Sequence, residues 1–581
     1  MYIRPIRKRL NNGAVEQRWA LVESYRTERG PRQRVVSYLG DLAEDERLGV
    51  AHAAGERPDR QPALFDDTPP AWVEVDLRSL RVERTAAFGG VWLGRWLLDR
   101  LGLREFFAAR LPSGREEIPW AVLAQLLIIA RLLDPSSELR LAQHLFARTA
   151  FAEVLGVAGD KINDDRLYRA LDRLLPHKAA LTAELKERAG TLFGLNYDLL
   201  LYDVTSTYFE GLAEANPSAQ RGHSRDHRPD CVQLCIALIV DKSGFPLGYE
   251  LFPGNRHDSS TVQTIVKLVE KTYGRADRIW VMDRGMTSVE NLAFFKRSGR
   301  RYIIGTPKAM LKRFERALLA EDWETVREGV EVKTCADPAG GDERFILCRS
   351  TARRDKERAM HDRFTRNIVV GLEKIAAGCS RRKYAVGTIE RRVGKLLGAN
   401  TRAAGLFDVQ VTPRPDGGAR LSWTQIDTWR EWATLSEGCY LLRTNIPDLS
   451  SNDLWTAYIQ LTQAESAFRI QKSDLTLRPI WHQRLDRVKA HIFVCFLAFV
   501  LWKTLGQLCT AAGLGDEPRR VLDEISRIML VDVAVNTKSG VTIRKRCVAQ
   551  PTVLQDELLQ RLKLTLPRHL EIRDVPPNVV T

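Results

Sequence analysis

Hydrophobic and polar positions change their period several times along the chain, and each change predicts a different kind of element. Residues 1 to about 45 alternate in short runs around the turn Glu28-Arg-Gly-Pro31, which predicts a small β-rich segment built on a hairpin. Pro58, Pro62, Pro69 and Pro70, set among charges, then mark a linker, taken as 46–84. From 85 to 195 the period is helical: Trp92, Trp96, Leu97 and Leu101 share one stripe, as do Leu123, Leu126, Leu127 and Ala130. Asn163 offers an N-cap to a further helix that stops at Pro176, so this stretch predicts an all-helical domain, used for DNA binding or as a scaffold. Apolar strand-like runs follow at 199–209, 232–240 and 246–252, then helix 261–273, strand 278–283, helix 288–297 and strand 302–305. The rhythm breaks at 307, where strand-like pieces surround a charged helix at 351–376. It resumes at 439–444 with helices expected at 450–475 and 484–508. The pattern predicts one α/β domain, 196–306 plus 436–510, split by a β-rich insertion at 307–435; residues 511–581 show no clear period.

Composition narrows the class. At 581 residues, 44% hydrophobic and 28% charged, the chain is ordinary globular protein rather than a disordered or fibrous one. A formal charge of +15 suits a polyanionic partner, although an ordinary basic enzyme carries the same excess. The first 34 residues hold nine Lys/Arg against three Glu, with Tyr2, Trp19 and Tyr25 interleaved, a composition shared by nucleic-acid-binding strands and small solvated sheets. The longest apolar run, 492–502, is too short to span a bilayer and reads as a buried helix, so no membrane association is expected. The N-terminus has no apolar stretch after its charges, and the nine cysteines form no CxxC pair; both point to a reducing, cytoplasmic setting. Cys231 and Cys235 lie near His223 and His227, but they open an apolar strand and are set aside as zinc ligands. The loop 221–230 reads as a polar surface loop, with His223 or His257 as a less favoured general base.

Carboxylates carry the candidate chemistry. Asp203 sits mid-strand in Leu-Leu-Leu-Tyr-Asp-Val-Thr, and Asp283 ends the strand Ile-Trp-Val-Met-Asp. A carboxylate on a buried strand is costly unless paired or metal-bound, and two on one sheet favour a site over structural salt bridges. Glu465 lies on the helix after the resumed strand, where Tyr458, Leu461, Glu465, Arg469 and Lys472 are spaced to share one face of a continuous helix.

These residues resemble the DDE transposases of bacterial insertion sequences, and the IS-four-type superfamily in particular, through its Tyr-x2-Arg-x3-Glu-x6-Lys signature. Here it reads Tyr458, Leu461, Glu465, Lys472, with the spacing kept and the Arg replaced by Leu. The phrases Tyr202-Asp-Val-Thr-Ser-Thr207, Pro253-Gly-Asn-Arg-His-Asp258, Met282-Asp-Arg-Gly-Met-Thr-Ser288 and Tyr440-Leu-Leu-Arg-Thr-Asn445 are similar to the same group. So is Val22-Glu-Ser-Tyr-Arg26 with Tyr38-Leu-Gly40, which looks like the start of a long-bodied subgroup. The resemblance implies an RNase H-like catalytic domain with a β-rich insertion, and DNA cleavage at the element's terminal inverted repeats followed by joining of 3′-hydroxyls to target DNA. It implies two Mg²⁺ ions, with Mn²⁺ able to substitute, on Asp203, Asp283 and Glu465. Tyr458, Arg469, Lys472, Arg284 and Thr205 are the expected DNA contacts, Arg469 standing in for the Arg that Leu461 replaces. Double-stranded DNA is the expected partner, a homodimer the expected assembly on it, and the nucleoid the expected place of work. The alternatives are an RNase H-like nuclease without strand transfer and a catalytically lapsed DNA-binding derivative.

Overall fold

The computed structural model describes residues 2–9, 15–27, 30–40, 73–194, 198–274, 277–572 and 579–580. The chain forms two compact units, Met1–Ser79 with Val535–Thr542, and Leu80–Ala534 with Ile543–Thr581. In the smaller unit β1 (Tyr2–Arg9), β2 (Val15–Thr27) and β3 (Gly30–Gly40) pair as an antiparallel meander, with Ala20 and Val22 buried on β2. The expected hairpin at 28–31 joins β2 to β3, although Glu28 and Arg29 lie outside the described residues, as does the proline-rich stretch 46–72. The expected linker ends earlier than 84: β4 (Val75–Ala87) is a strand, its apolar residues at Val75, Leu77, Leu80 and Val82 suiting an extended chain.

In the larger unit β5 (Leu199–Tyr208), β6 (Gln233–Asp241) and β7 (Pro246–Pro253) form an antiparallel meander. Helix Val262–Tyr273 carries the chain back to β8 (Ile279–Met282), which lies parallel to β5, and helix Val289–Arg297 carries it on to β9 (Arg301–Gly305), parallel to β8. An antiparallel meander continued by two parallel strands is the RNase H-like arrangement. The sheet then extends through part of the insertion, where β10 (Glu324–Arg327), β11 (Val330–Ala336) and β12 (Arg344–Ser350) precede the hairpin of β13 (Phe407–Pro413) and β14 (Ala419–Gln425), and β15 (Cys439–Thr444) closes the excursion. The nine-stranded order is β10-β11-β12-β15-β9-β8-β5-β6-β7, with β15 antiparallel to both β9 and β12.

Side-chain alternation decides what covers each face. Leu200, Tyr202 and Val204 of β5, Trp280 and Met282 of β8, and Tyr302 and Ile304 of β9 pack with Ile265, Val269 and Phe295 of the two crossover helices. Their neighbours Leu201, Val281 and Ile303 enter a second core with the helical segment and with helix Leu485–Ala511. That helix is long and apolar enough to cross a membrane, but most of its apolar window is buried inside the protein. Phe493, Phe496 and Phe499 are fully buried on it, and truncating one such ring costs about 3–5 kcal/mol.

The expected all-helical domain is therefore not packed on its own. Helices Trp120–Leu133 and Asp164–Leu174 lie against Leu485–Ala511, and their Leu126 and Leu171 share one core with Ile236 and Leu238 of β6. The C-terminal residues fold back onto it: the Ile528 carbonyl accepts from the N–H groups of Phe88 and Gly89 at 3.0 and 2.9 Å. Helix Pro518–Ser526 approaches so closely that a Cβ on Gly89 would lie 2.0 Å from the Ile525 carbonyl oxygen. Residues 351–438 instead build a core of their own around Ile368, Leu372, Ile389, Val393 and Leu421. The charged helix expected at 351–376 runs Thr351–Arg381 on the edge of that core.

Candidate active site

β5 and β8 bring the two aspartates together by register alone. Tyr202 stands opposite Met282 in the parallel pair, so the next residues, Asp203 and Asp283, are neighbours across adjacent strands. In phase with Leu201 and Val281, both face the side covered by helix Thr462–Arg469, whose Ala464, Ala467 and Phe468 are buried in the core beneath it. Glu465 is exposed on that helix, beside the aspartates.

The electrostatics record this convergence. Burial pushes the half-buried Asp203 carboxyl up to about 7; the Val204 N–H, 2.7 Å from its Oδ1, and the nearby Arg225 pull it back, while Asp283 and Glu465 raise it further. Although Glu465 is exposed as a residue, partial loss of solvent around its carboxyl raises it, and Asp283 raises it further. Negative charge from Asp283 thus bears on both Asp203 and Glu465, a concentration of carboxylate that favours a cation. Asp283 and Arg284 are exposed at the end of β8, where Arg284–Met286 makes a single tight turn.

Tyr458 closes another wall. Burial raises its phenol, with Asp283 adding to the effect. The hydroxyl lies against Gly305 at the end of β9, where a Cβ would come within 2.5 Å of it and 3.3 Å of the Arg284 nitrogen. We expect Gly305→Ala to displace the tyrosine and slow any reaction at these carboxylates about 10–100-fold, since a shift near 1 Å at a reacting centre has that effect. A single-turnover assay checks it, against a melting temperature close to wild type.

The continuous helix expected at 450–475 is not formed, and this relocates two signature positions. Helix Ser451–Ile459 ends at Gln460, a second helix runs Thr462–Arg469, and a wider π-turn spans Ile470–Asp474. Leu461, at the junction, is buried in the core, so no phosphate-gripping side chain is lost to solvent there. Arg469 is exposed and near Ser466, with Nη2 3.3 Å from Oγ. Lys472, an expected DNA contact, is turned inward by the π-turn and buried, with Nζ 2.9 Å from Asp226 Oδ1. Thr205 is also buried, on the same side of β5 as Asp203.

Residues 221–230 form a surface loop as expected, with Arg225 and Asp226 turned toward the neighbouring strands and helix. The Arg225 N–H donates to Ser206 Oγ at 3.1 Å and its guanidinium pairs with Asp258, while Asp226 pairs with Lys472 and Arg478. The dense alternation of charge in Arg-Gly-His-Ser-Arg-Asp-His-Arg-Pro-Asp was the available signal. His257 is exposed, with Nδ1 2.8 Å from Ser259 Oγ.

Among the described residues, Glu138, His482 and His491 are the group of ligand-type side chains whose donor atoms all lie within 4.8 Å of one another. They sit between the helical segment and helix Leu485–Ala511, not with the three carboxylates. Their mixed nitrogen and oxygen donors suit a softer ion than Mg²⁺. His482 Nε2 is 3.7 Å from Glu138 Oε2, and His491 Nε2 is 3.8 Å from Cys495 Sγ. Arg131 supplies a cation beside both Glu138 and His491, which makes the group a satisfied buried cluster.

The family described as Transposase DDE domain matches residues 195–501, and the IS1634 family transposase N-terminal domain matches residues 3–61. No curated protein matches the chain. A solved structure described as piggyBac transposase synaptic complex with hairpin DNA is similar at 8% identity and a TM-score of 0.35, over 78% of this chain and 82% of that one. The DDE match alone spans more than half of the sequence and contains both strand aspartates, the helical glutamate and the insertion between them. The chain belongs to the DDE transposases of bacterial insertion sequences.

Proposed function

We propose that the protein cuts DNA at the ends of its own insertion sequence, exposes 3′-hydroxyls and joins them to target DNA. What supports this reading is that Asp203 and Asp283 follow the register pair Tyr202–Met282 on two adjacent strands and that Glu465, on the helix over them, acts on Asp203 electrostatically. The donor set fits Mg²⁺: it is all hard carboxylate oxygen, and its mutual repulsion is relieved by a divalent cation. Asp203, Asp283 and Glu465 would hold two such ions, and Mn²⁺ could replace Mg²⁺. When bound, the ions supply Lewis acidity at the attacking and leaving oxygens of the phosphodiester.

The chain's own residues do the rest. The strands fix the two aspartates, helix Thr462–Arg469 carries Glu465, and the Val204 N–H holds one Asp203 oxygen in place. Tyr458, Arg284 and Arg469 line the approach and offer a hydroxyl and two guanidiniums to backbone phosphates, with the guanidiniums suited to bidentate contact. Joining two ends of one element calls for two such sites, so the working form on double-stranded DNA is a homodimer acting at the nucleoid in the cytoplasm.

Incubating the protein with duplexes carrying the terminal inverted repeats, Mg²⁺ and a plasmid target tests this reading. Joined products are expected. Cut but unjoined DNA would indicate a nuclease without strand transfer, and retarded but intact DNA a lapsed binding protein; either result overturns the proposal.

A further inference from the structure

The signature lysine is the residue expected to hold DNA, yet its side chain is only 8% exposed and its ammonium faces Asp226, itself 2% exposed. The same Asp226 oxygen is shared with the Arg478 guanidinium, whose side chain is 32% exposed. One carboxylate thus fastens two cations, one inside and one at the surface. Lys472 is enclosed and its charge is spent on keeping Asp226 company; Arg478 has further N–H groups of its fork to give. Asp226 Oδ2 has no hydrogen-bond partner among the described residues, an arrangement a buried carboxylate tolerates only with strong positive charge beside it.

The backbone places Arg478 beside the catalytic strand. The Ile480 N–H donates to the Tyr208 carbonyl at 2.9 Å, and the Glu210 N–H donates to the Ile480 carbonyl at 3.0 Å, so residues 478–481 run along the end of β5. Tyr208 is five residues beyond Asp203 on that strand, about 17 Å at the usual rise. That separation reaches phosphates flanking the scissile one. Trp481, three residues past Arg478, is 68% exposed, although tryptophan is usually well buried. A guanidinium and a bare indole on one edge match the two ways a protein holds a nucleic-acid strand: charge on the backbone and a ring on a base face.

We infer that Arg478 and Trp481 form a DNA-contact edge flanking the catalytic carboxylates, with Arg478 on a backbone phosphate and Trp481 on an unpaired base. Asp226 and Lys472 are its positioning residues: Asp226 orients the guanidinium, and Lys472 holds the Asp226 carboxylate in place. The inference rests on the DNA-cleaving reading above.

The test is fluorescence anisotropy over a salt series, with labelled duplexes carrying the terminal repeat, either blunt or with a single-stranded extension. Wild-type protein must bind these probes with a steep salt dependence; failure there rejects the proposed function rather than this edge. Given wild-type binding, Arg478→Ala should weaken affinity about 10-fold and reduce the log–log slope by about 0.9, the value of one phosphate contact, while Arg478→Lys keeps the slope. Lys472→Met should lower the melting temperature but leave the slope at its wild-type value. Trp481→Ala should weaken binding to the extended probe about 10-fold with no change in slope, because stacking releases no counterions. A slope unchanged in Arg478→Ala, or one flattened by Lys472→Met instead, overturns the phosphate contact. Equal binding of both probes by Trp481→Ala and wild type overturns the aromatic one.

Discussion

Asp203→Asn, Asp283→Asn and Glu465→Gln should each lower the rate of DNA cleavage by about 10³-fold or more, equivalent to at least ~4 kcal/mol of barrier, while retarding terminal-repeat DNA as well as wild type. The amides keep the shape of each side chain and remove the charge that would draw in a divalent ion. Asp203 and Asp283 each follow the last register pair of two adjacent strands and Glu465 acts on Asp203 from the helix over them, so each substitution removes one charge from the same place. DNA retardation survives because the basic surface is untouched. Cleavage in Mg²⁺, scored on a gel beside a binding assay, decides the matter; a variant cutting at near the wild-type rate would remove that residue from the metal-binding set.

The same substitution at Asp203 should also make the protein more stable, and only above acidic pH. In the folded protein burial pushes this carboxyl up to about 7, against an ordinary value of 3.8. The folded state therefore holds the proton more tightly than the unfolded chain does. Its stabilising effect is complete below the unfolded value and is lost as pH rises through the folded one, so wild-type stability falls between about pH 4 and pH 7. Asparagine has no proton to lose and escapes the fall. In EDTA, the stability advantage of Asp203→Asn should grow by about 1–3 kcal/mol between about pH 5 and pH 8. Adding Mg²⁺ should narrow the gap at pH 8, because the ion stabilises the folded wild type by mass action and has less to hold in the variant. Urea denaturation at both pH values, with and without Mg²⁺, measures it; an advantage independent of pH would mean that Asp203 is not held against its ionisation.

Local pattern made most of the catalytic sheet legible. The uninterrupted apolar run in β6 and the single charge inside β5 are visible along the sequence because both faces of those strands are buried, which leaves few polar positions to confuse the reading. Asp203 and Asp283 stood out for the same reason. The helix bearing Glu465 was less legible: nothing in Tyr458–Lys472 announces a break at Gln460 or a π-turn after Arg469, since no proline or glycine interrupts the run and tertiary packing sets both. Lys472 was accordingly read outward when it lies inward. The ion pairs of the loop that captures it are not legible, because the partners Asp258, Lys472 and Arg478 lie far from it along the chain. The helical segment's union with the sheet was hidden likewise, as an apolar stripe does not say what it packs against.

The excursion between β12 and β15 leaves and re-enters the sheet at neighbouring points: the Ser350 N–H donates to the Gly438 carbonyl at 3.1 Å. To the catalytic domain, everything from 351 to 438 is therefore the loop of one antiparallel hairpin, and it carries its own apolar core. The entropy of closing a loop grows only with the logarithm of its length, about 0.6 kcal/mol per doubling. Such a module can lengthen, shrink or be exchanged between lineages while β12, β15 and the carboxylates keep their places, which makes it the part of this fold most open to evolutionary grafting.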